Sequence, residues 1–250
     1  MRVFQKVLAT ASVALCFGAQ AGQLIDDFST SQTLMHDKTT GDGGLSSQSL
    51  LSANIIGGYR DIFVEKYGVV VDDGFSGVSL GVNGAAPGKL AFASDPGQNG
   101  IGIVRWDGSH FDSFATIDAT GLGGINLALD GNAFHLKVLS ADLNFPFTMT
   151  AYTDGSNFSS LTVTSTGPGD YYIPFAAFAG GAVTGTGVNF SNVGALQAII
   201  NTGGLVKDVD VQLDIVSTVP EPMSLALVGV GLLGLGAVSR RRSAKEGQPV

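Results

Sequence analysis

The chain has 250 residues, a formal net charge of −8 and only 14% charged side chains. Residues 22–218 hold an excess of that charge, with seven Lys and Arg against nineteen Asp and Glu, a net −12 with histidine neutral. So acidic a surface repels phosphate backbones and anionic lipid, which excludes nucleic acid as a partner and leaves cations and neutral glycans as ligands the charge would tolerate.

Residues 1–21 have the order of a secretory signal peptide. Arg2 and Lys6 form the positive start, residues 7–17 are apolar, and Ala19-Gln20-Ala21 supplies the small-residue cleavage pattern. Cys16 is the only cysteine, and Leu15 stands where a lipoprotein signal needs a small residue. Cleavage after Ala21 is therefore expected, leaving an exported chain with neither a thiol nor a disulfide.

Residues 22–218 show no sustained helical period. Apolar residues alternate at period two between clusters of Gly, Asn, Asp and Ser, the pattern of short strands and turns. Residues 24–28 read as the first strand and the polar stretch 31–49 as loop. Ile62 and Val64 alternate within 60–66, and residues 69–71 end at Asp72-Asp73-Gly74. Val78, Leu80 and Val82 share one face of the next strand, and Leu90 and Phe92 mark another, closed by Asp95-Pro96-Gly97. Ile101, Ile103 and Arg105 alternate against Val104 and Trp106. Residues 114–117 and 125–129 read as a central apolar block.

Phe134, Leu136 and Val138 follow, then Phe147, Met149 and Ala151 with a turn at Asp154-Gly155, then Leu161, Val163 and the stretch 171–175. Residues 195–201 are nearly continuously apolar, as in a buried strand. Val209, Val211, Leu213 and Ile215 alternate with Asp208, Asp210, Gln212 and Asp214, giving one dry and one wet face. The predicted fold is all-β, an antiparallel β-sandwich of jelly-roll type, with helix confined to the tail and one turn near 175–178. Ile25-Asp26-Asp27-Phe28, Gly57-Gly58-Tyr59-Arg60-Asp61, Tyr172-Ile173-Pro174-Phe175 and Val211-Gln212-Leu213-Asp214-Ile215 resemble segments of galactose-binding-like jelly rolls and related carbohydrate-binding modules.

The tail has three parts in order: Pro220-Glu221-Pro222, the uncharged stretch 223–239, and Arg240-Arg241-Arg242. As a helix that stretch would reach about 25 Å, slightly less than a bilayer core of about 30 Å, and snorkelling arginines would cover the difference. Met223, Leu225, Leu227, Leu232, Leu233 and Leu235 would form the anchor and Arg240, Arg241 and Arg242 its cytoplasmic stop. This order resembles the PEP-CTERM sorting signal. The resemblance implies a Gram-negative source that makes extracellular polysaccharide, and a membrane enzyme, exosortase, that reads Pro220, Glu221 and Pro222 and removes the tail. The other account of the same residues is an ordinary membrane anchor. Gly229-Val230-Gly231-Leu232-Leu233-Gly234 fits a dinucleotide fingerprint but follows no strand, and small residues in a membrane helix explain it better.

Catalytic signatures are scarce. H-E-x-x-H is absent, and Ser109, His110 and Asp112 are sequence neighbours, which seldom form a triad in space. His36 and His135 are the other two histidines, and Glu65 is the sole glutamate of residues 22–218. For glycan binding the candidate aromatic platforms are Trp106, Tyr59, Tyr67 and Tyr152, with Trp106 expected exposed at a strand end. For calcium the candidates are Asp26, Asp27, Asp208, Asp210 and Asp214, which a pairing of the first and last strands would bring together.

The expected organisation is signal peptide 1–21, exported β-sandwich 22–218, sorting signal with transmembrane helix 219–242 and polar tail 243–250. The expected function is non-enzymatic: a structural, adhesive or glycan-associated protein of the cell surface or extracellular matrix. Exosortase and extracellular polysaccharide would be its partners, and the inner membrane a transient one. The alternative is a secreted carbohydrate-active hydrolase.

Overall fold

The computed structural model describes residues 22–68, 73–84, 87–109 and 116–220. In chain order the strands are β1 (Leu24–Asp26), β2 (Gln32–Asp37), β3 (Leu45–Gln48), β4 (Asp61–Tyr67), β5 (Val78–Val82), β6 (Leu90–Ser94) and β7 (Asn99–Trp106). The second half adds β8 (Ala133–Ala141), β9 (Phe145–Asp154), β10 (Asn157–Ser165), β11 (Gly169–Pro174), β12 (Ala182–Thr184), β13 (Ala195–Ile200) and β14 (Asp210–Val219). Short 3-10 turns at Phe175–Gly180 and Thr202–Gly204 are the helical elements among the described residues.

The strands form two antiparallel sheets. One runs β11-β8-β14-β6-β5-β2, with β1 also paired to β14, and the other runs β12-β10-β9-β13-β7-β4-β3. This is the predicted all-β sandwich. The expected signal peptide, residues 1–21, and the expected membrane span, residues 223–239, lie outside the described residues, and no described helix is long and apolar enough to cross a membrane.

Alternation decides what fills the space between the sheets. Leu80, Phe92, Leu136, Val211 and Leu213 point inward from the first sheet, and Ile62, Val64, Val104, Phe147, Met149 and Ile200 from the second. Gly102 lets the layers close: a Cβ there would lie 2.9 Å from Phe92 Cδ2 and 3.4 Å from Leu80 Cδ1 across the interface. Lys66 also points inward and is fully buried. Its Nζ donates to the carbonyls of Lys38 at 3.0 Å and Ser76 at 3.1 Å, and its backbone N–H donates to Asp37 Oδ2 at 2.7 Å.

Three expectations are corrected. The stretch 31–49 holds β2 and β3 rather than loop alone. Both are edge strands: β3 has no buried residue, and a register shift separates Gln32 from Met35 in β2, so neither carries a clean alternation. Residues 125–129 form no strand; Ile125 bridges to Val193 alone, and Leu127 is buried by a loop whose N–H reaches the Phe190 carbonyl. Ile215 does not continue the dry face of β14. Register shifts flank Leu213, so Val216 takes the next inward place, opposite Leu136, and is buried while Ile215 is half-exposed. Residues 69–71 and 114–115 lie outside the described residues.

Gly102→Val is expected to overpack the interface and to lower stability by about 1–3 kcal/mol, read as a drop in the urea midpoint without a change in slope.

Candidate functional site

The parity that makes Val104 a core residue also turns Trp106 inward, so its ring is buried rather than exposed. It belongs to a polar cluster inside the sandwich. Trp106 Nε1 donates to Asp26 Oδ2 at 2.8 Å, and Arg60 Nη1 donates to both Asp26 oxygens at 2.9 Å. Arg60 Nη2 donates to the Thr30 carbonyl at 2.6 Å and Arg60 Nε to Gln32 Oε1 at 2.9 Å. The Phe28 N–H donates to Asp26 Oδ1 at 2.8 Å, with Phe28 at φ 53 and its ring 5.6 Å from the guanidinium carbon. Burial pushes the Asp26 carboxyl above the ordinary range, while Arg60, Trp106 and the Phe28 amide pull it back. Asp26 and Trp106 are thereby removed from the candidate surface residues.

The calcium set does not assemble. β1 does pair with β14, but at Ser217 and Val216, beyond the acidic part of that strand. Asp27 caps its own turn through Ser29, and Asp214 pairs with Lys137 at 3.0 Å. Asp208 accepts the Gly97 N–H, and the Asp210 N–H donates to Asp142 Oδ1 at 2.8 Å, both at the far end of β14. Among the described residues no three His, Cys, Asp or Glu side chains stand where they could share a metal ion. Burial raises the Asp210 carboxyl, and Asp142, Asp95 and Asp208 raise it further, against the Ser94 amide.

What the fold does assemble is a polar row across the outer face of the second sheet. Register places Asp61 beside Arg105, Arg105 beside Gln197, Gln197 beside Thr150 and Thr150 beside Ser160, spanning β4, β7, β13, β9 and β10. Gln48 Nε2 donates to Asp61 Oδ1 at 3.0 Å, and Arg105 donates to Gln197 Oε1 from Nη2 at 3.0 Å and Nε at 3.3 Å. Thr150 and Ser160 share a hydroxyl bond of 2.8 Å. Asp61 and Arg105 are buried; Gln197, Ser160 and Tyr152 are half-exposed. The carbonyls of Ser109 and Thr116 accept from Gln48 and Arg105, so the chain after β7 borders the row.

Burial lowers the Arg105 guanidinium, opposed by Asp107, Tyr152 and Asp61, and burial raises the Tyr152 phenol against the pull of Arg105. Of the predicted aromatics, Tyr152 flanks this row beside Phe158, whose ring lies 5.0 Å away. Tyr67 stands on the same face at the far end of β4, its phenol raised by burial and by Glu65. Tyr59 is half-buried just before β4.

The first sheet's outer face carries an aromatic the sequence did not single out. Tyr172 on edge strand β11 is exposed and stacks on His135, with ring centroids 5.0 Å apart. His135 Nε2 meets Asp170 Oδ1 at 2.7 Å, and His36 Nε2 meets Asp95 Oδ2 at 3.0 Å. The Ser109 hydroxyl and N–H donate locally, to Asp107 Oδ1, and His110 and Asp112 lie outside the described residues.

At the end of β14, residues 218–242 match the PEP-CTERM protein-sorting motif. The chain carries a PEP-CTERM sorting signal. Its first two residues, Thr218 and Val219, belong to the last strand, and Glu221, Pro222 and the rest of the signal lie outside the described residues. No curated protein matches the chain in sequence. Among solved structures, an exo-β-agarase is similar over 80% of this chain and 25% of its own, at 11% identity and TM-score 0.42. CtCBM11, described for its solution structure, dynamics and binding, is similar over 85% of this chain and 98% of its own, at 11% identity and TM-score 0.36. A β-1,2-glucanase from Parabacteroides distasonis is similar over 82% and 25%, at 15% identity and TM-score 0.32. This chain thus spans a quarter of the agarase and of the glucanase, and no residue's role passes from these proteins to it.

Arg60→Met is expected to strand a buried carboxylate and cost about 3–5 kcal/mol in urea unfolding, with much of the loss recovered by adding Asp26→Asn. Asp210 has a folded-state pKa above its ordinary value, so its ionisation at neutral pH opposes folding, and its contribution is lost as pH rises through the raised pKa. Asp210→Asn should therefore stabilise at pH 7 by less than about 1 kcal/mol, the range for solvent-screened charges, and the gain should vanish below about pH 3.8, where both states are protonated. Melting curves at the two pH values check this.

Proposed function

We propose that this is an exported, non-catalytic β-sandwich protein, sorted and processed through its PEP-CTERM signal, that acts at the cell surface or in the extracellular matrix by associating with neutral polysaccharide. The sorting signal supports the route, and exosortase is the enzyme such a signal implies. The observation that carries the glycan-associated role is the outer face of the second sheet, where the half-exposed Gln48, Gln197 and Ser160, held by the buried Asp61, Arg105 and Thr150, lie in line beside the half-exposed Tyr152. Sugars present hydroxyls in a plane and apolar C–H faces, and such a row with a flanking ring meets both. The strong negative charge of residues 22–218 favours an uncharged partner over an anionic one.

A hydrolase would need two carboxylates in register with a bond. Asp61 and Glu65 share this face, but four residues along one strand separates them by about 13 Å, against the roughly 5–9.5 Å of glycosidase pairs.

Two measurements on the protein secreted by a host with the processing enzyme test the proposal. Mass spectrometry should find the tail removed near Pro220; an intact Val250 would refute processing. In affinity electrophoresis through the host's neutral polysaccharide, Gln197→Ala and Tyr152→Ala should each weaken retardation by up to about tenfold, the equivalent of one hydrogen bond or ring contact. Sugar release abolished by a single Asp substitution would favour the hydrolase instead.

A further inference from the structure

The two sheets end on four edge strands, β11 and β2 in the first and β12 and β3 in the second. An open edge is a template for another strand, and proteins block it with proline, charge, a bulge or a cover. Three of these edges are blocked. β11 ends on Pro174, follows Pro168 and carries Asp170. β2 has a register shift after Gln32, with Lys38 directly behind the strand. β3 is covered by Gln32, whose Nε2 donates to the Ser47 carbonyl at 2.8 Å.

β12 has none of these devices. Its residues Ala182, Val183 and Thr184 are all exposed, and it pairs with β10 alone, Val183 standing opposite Ser159. The turn Phe175–Gly180 crosses to it from β11, so β11, this turn and β12 form one side of the sandwich. A cavity of about 270 Å³ opens on that side, lined by Phe175, Phe178, Val183, Val188 and Phe190, with Ala176 and Ala179 exposed beside it. The Phe175 and Phe190 rings stack with centroids 4.0 Å apart in its wall.

Charge selects what covers this side. From Gly155 to Val206 the chain holds a single charged residue, Asp170, although residues 22–218 are strongly acidic as a whole. Asp170 meets His135, and Asp154 at the β9–β10 turn is held by Asn157, whose Nδ2 donates to both its oxygens at 3.0 Å. Neither β12 nor the cavity wall offers a charge to a basic or an acidic partner. Two copies of an acidic body repel each other least through such a side. A strand edge is also its own complement, since rotation about a two-fold axis sets it antiparallel to itself.

We propose that β12 is a self-association edge. Two copies pair β12 to β12 antiparallel, with the two Val183 positions opposite each other, so that the second sheet runs on into the second molecule and the Phe175–Phe190 cavity is covered. With three strand residues from each copy, the contact belongs to the weak, concentration-dependent class. It leaves both outer faces of the sandwich free, so it stands or falls independently of what those faces bind.

The test uses the full chain in nonionic detergent micelles, carrying Cys16→Ser and one new thiol. That thiol is Val183→Cys on the edge or, as a control, the exposed Leu205→Cys in the turn after β13. Oxidation to the disulfide dimer, normalised to each thiol's rate with a small soluble disulfide, should run severalfold faster at position 183. Adding Ala182→Lys with Thr184→Lys places like charges directly opposite one another and should remove that advantage at an unchanged melting temperature. Equal normalised rates at positions 183 and 205 overturn the proposal, and so does an advantage that survives the two lysines.

Discussion

The contact between Asp26 and Arg60 holds together parts of the chain that have little else in common. Arg60 precedes β4 in one sheet, Asp26 ends β1 in the other, and Trp106 ends β7. Thr30 and Gln32, on the guanidinium's remaining donors, fix the passage from β1 into edge strand β2. Burying a carboxylate and a guanidinium is costly unless every donor and acceptor is met, and here the fork of Arg60 and the indole N–H leave Asp26 fully engaged. The positive φ of Phe28 is the local concession, held by its amide on the same carboxylate. A second polar pin, Lys66 with the Lys38 and Ser76 carbonyls and Asp37, ties β2 to β4 across the two sheets.

With the interior pinned by buried charged side chains, the outer face of the second sheet carries a polar row. The row from Gln48 to Ser160 exists because six neighbouring strands each place one polar residue at the same height. Its members hydrogen-bond in pairs, Gln48 to Asp61, Arg105 to Gln197 and Thr150 to Ser160, which hold their side chains in place. The other outer face presents Tyr172 and His135 on an edge. The sorting signal begins inside the central strand, at Thr218 and Val219.

Legibility in the sequence followed burial. Strands with one dry face, such as β5, β8 and β9, were visible as alternation because each faces a single core. β2 and β3 were not, since edge strands with few buried residues leave no apolar signature, and residues 125–129 imitated a strand because a loop that plugs the sandwich needs apolar residues too. Tyr152 and Tyr67 could be chosen as surface aromatics, but nothing local distinguished them from Trp106, whose place inside was set by strand parity and by Asp26, eighty positions distant. Tyr172 was quoted only as part of a resembling segment and not as a platform, because its exposure depends on β11 being an edge strand.

By itself the sequence determined the β class, the acidity that selects against nucleic acid, and the sorting signal, because period, composition and an ordered short motif are properties of the chain before it folds. Tertiary structure alone decided which carboxylates are buried, which aromatics reach the surface, and that Arg105, Gln197 and Asp61 form one row. It also decided that both ends of the described chain leave at one corner. Each of these depends on register between strands far apart in sequence, and register is fixed only when the two sheets close on a common core.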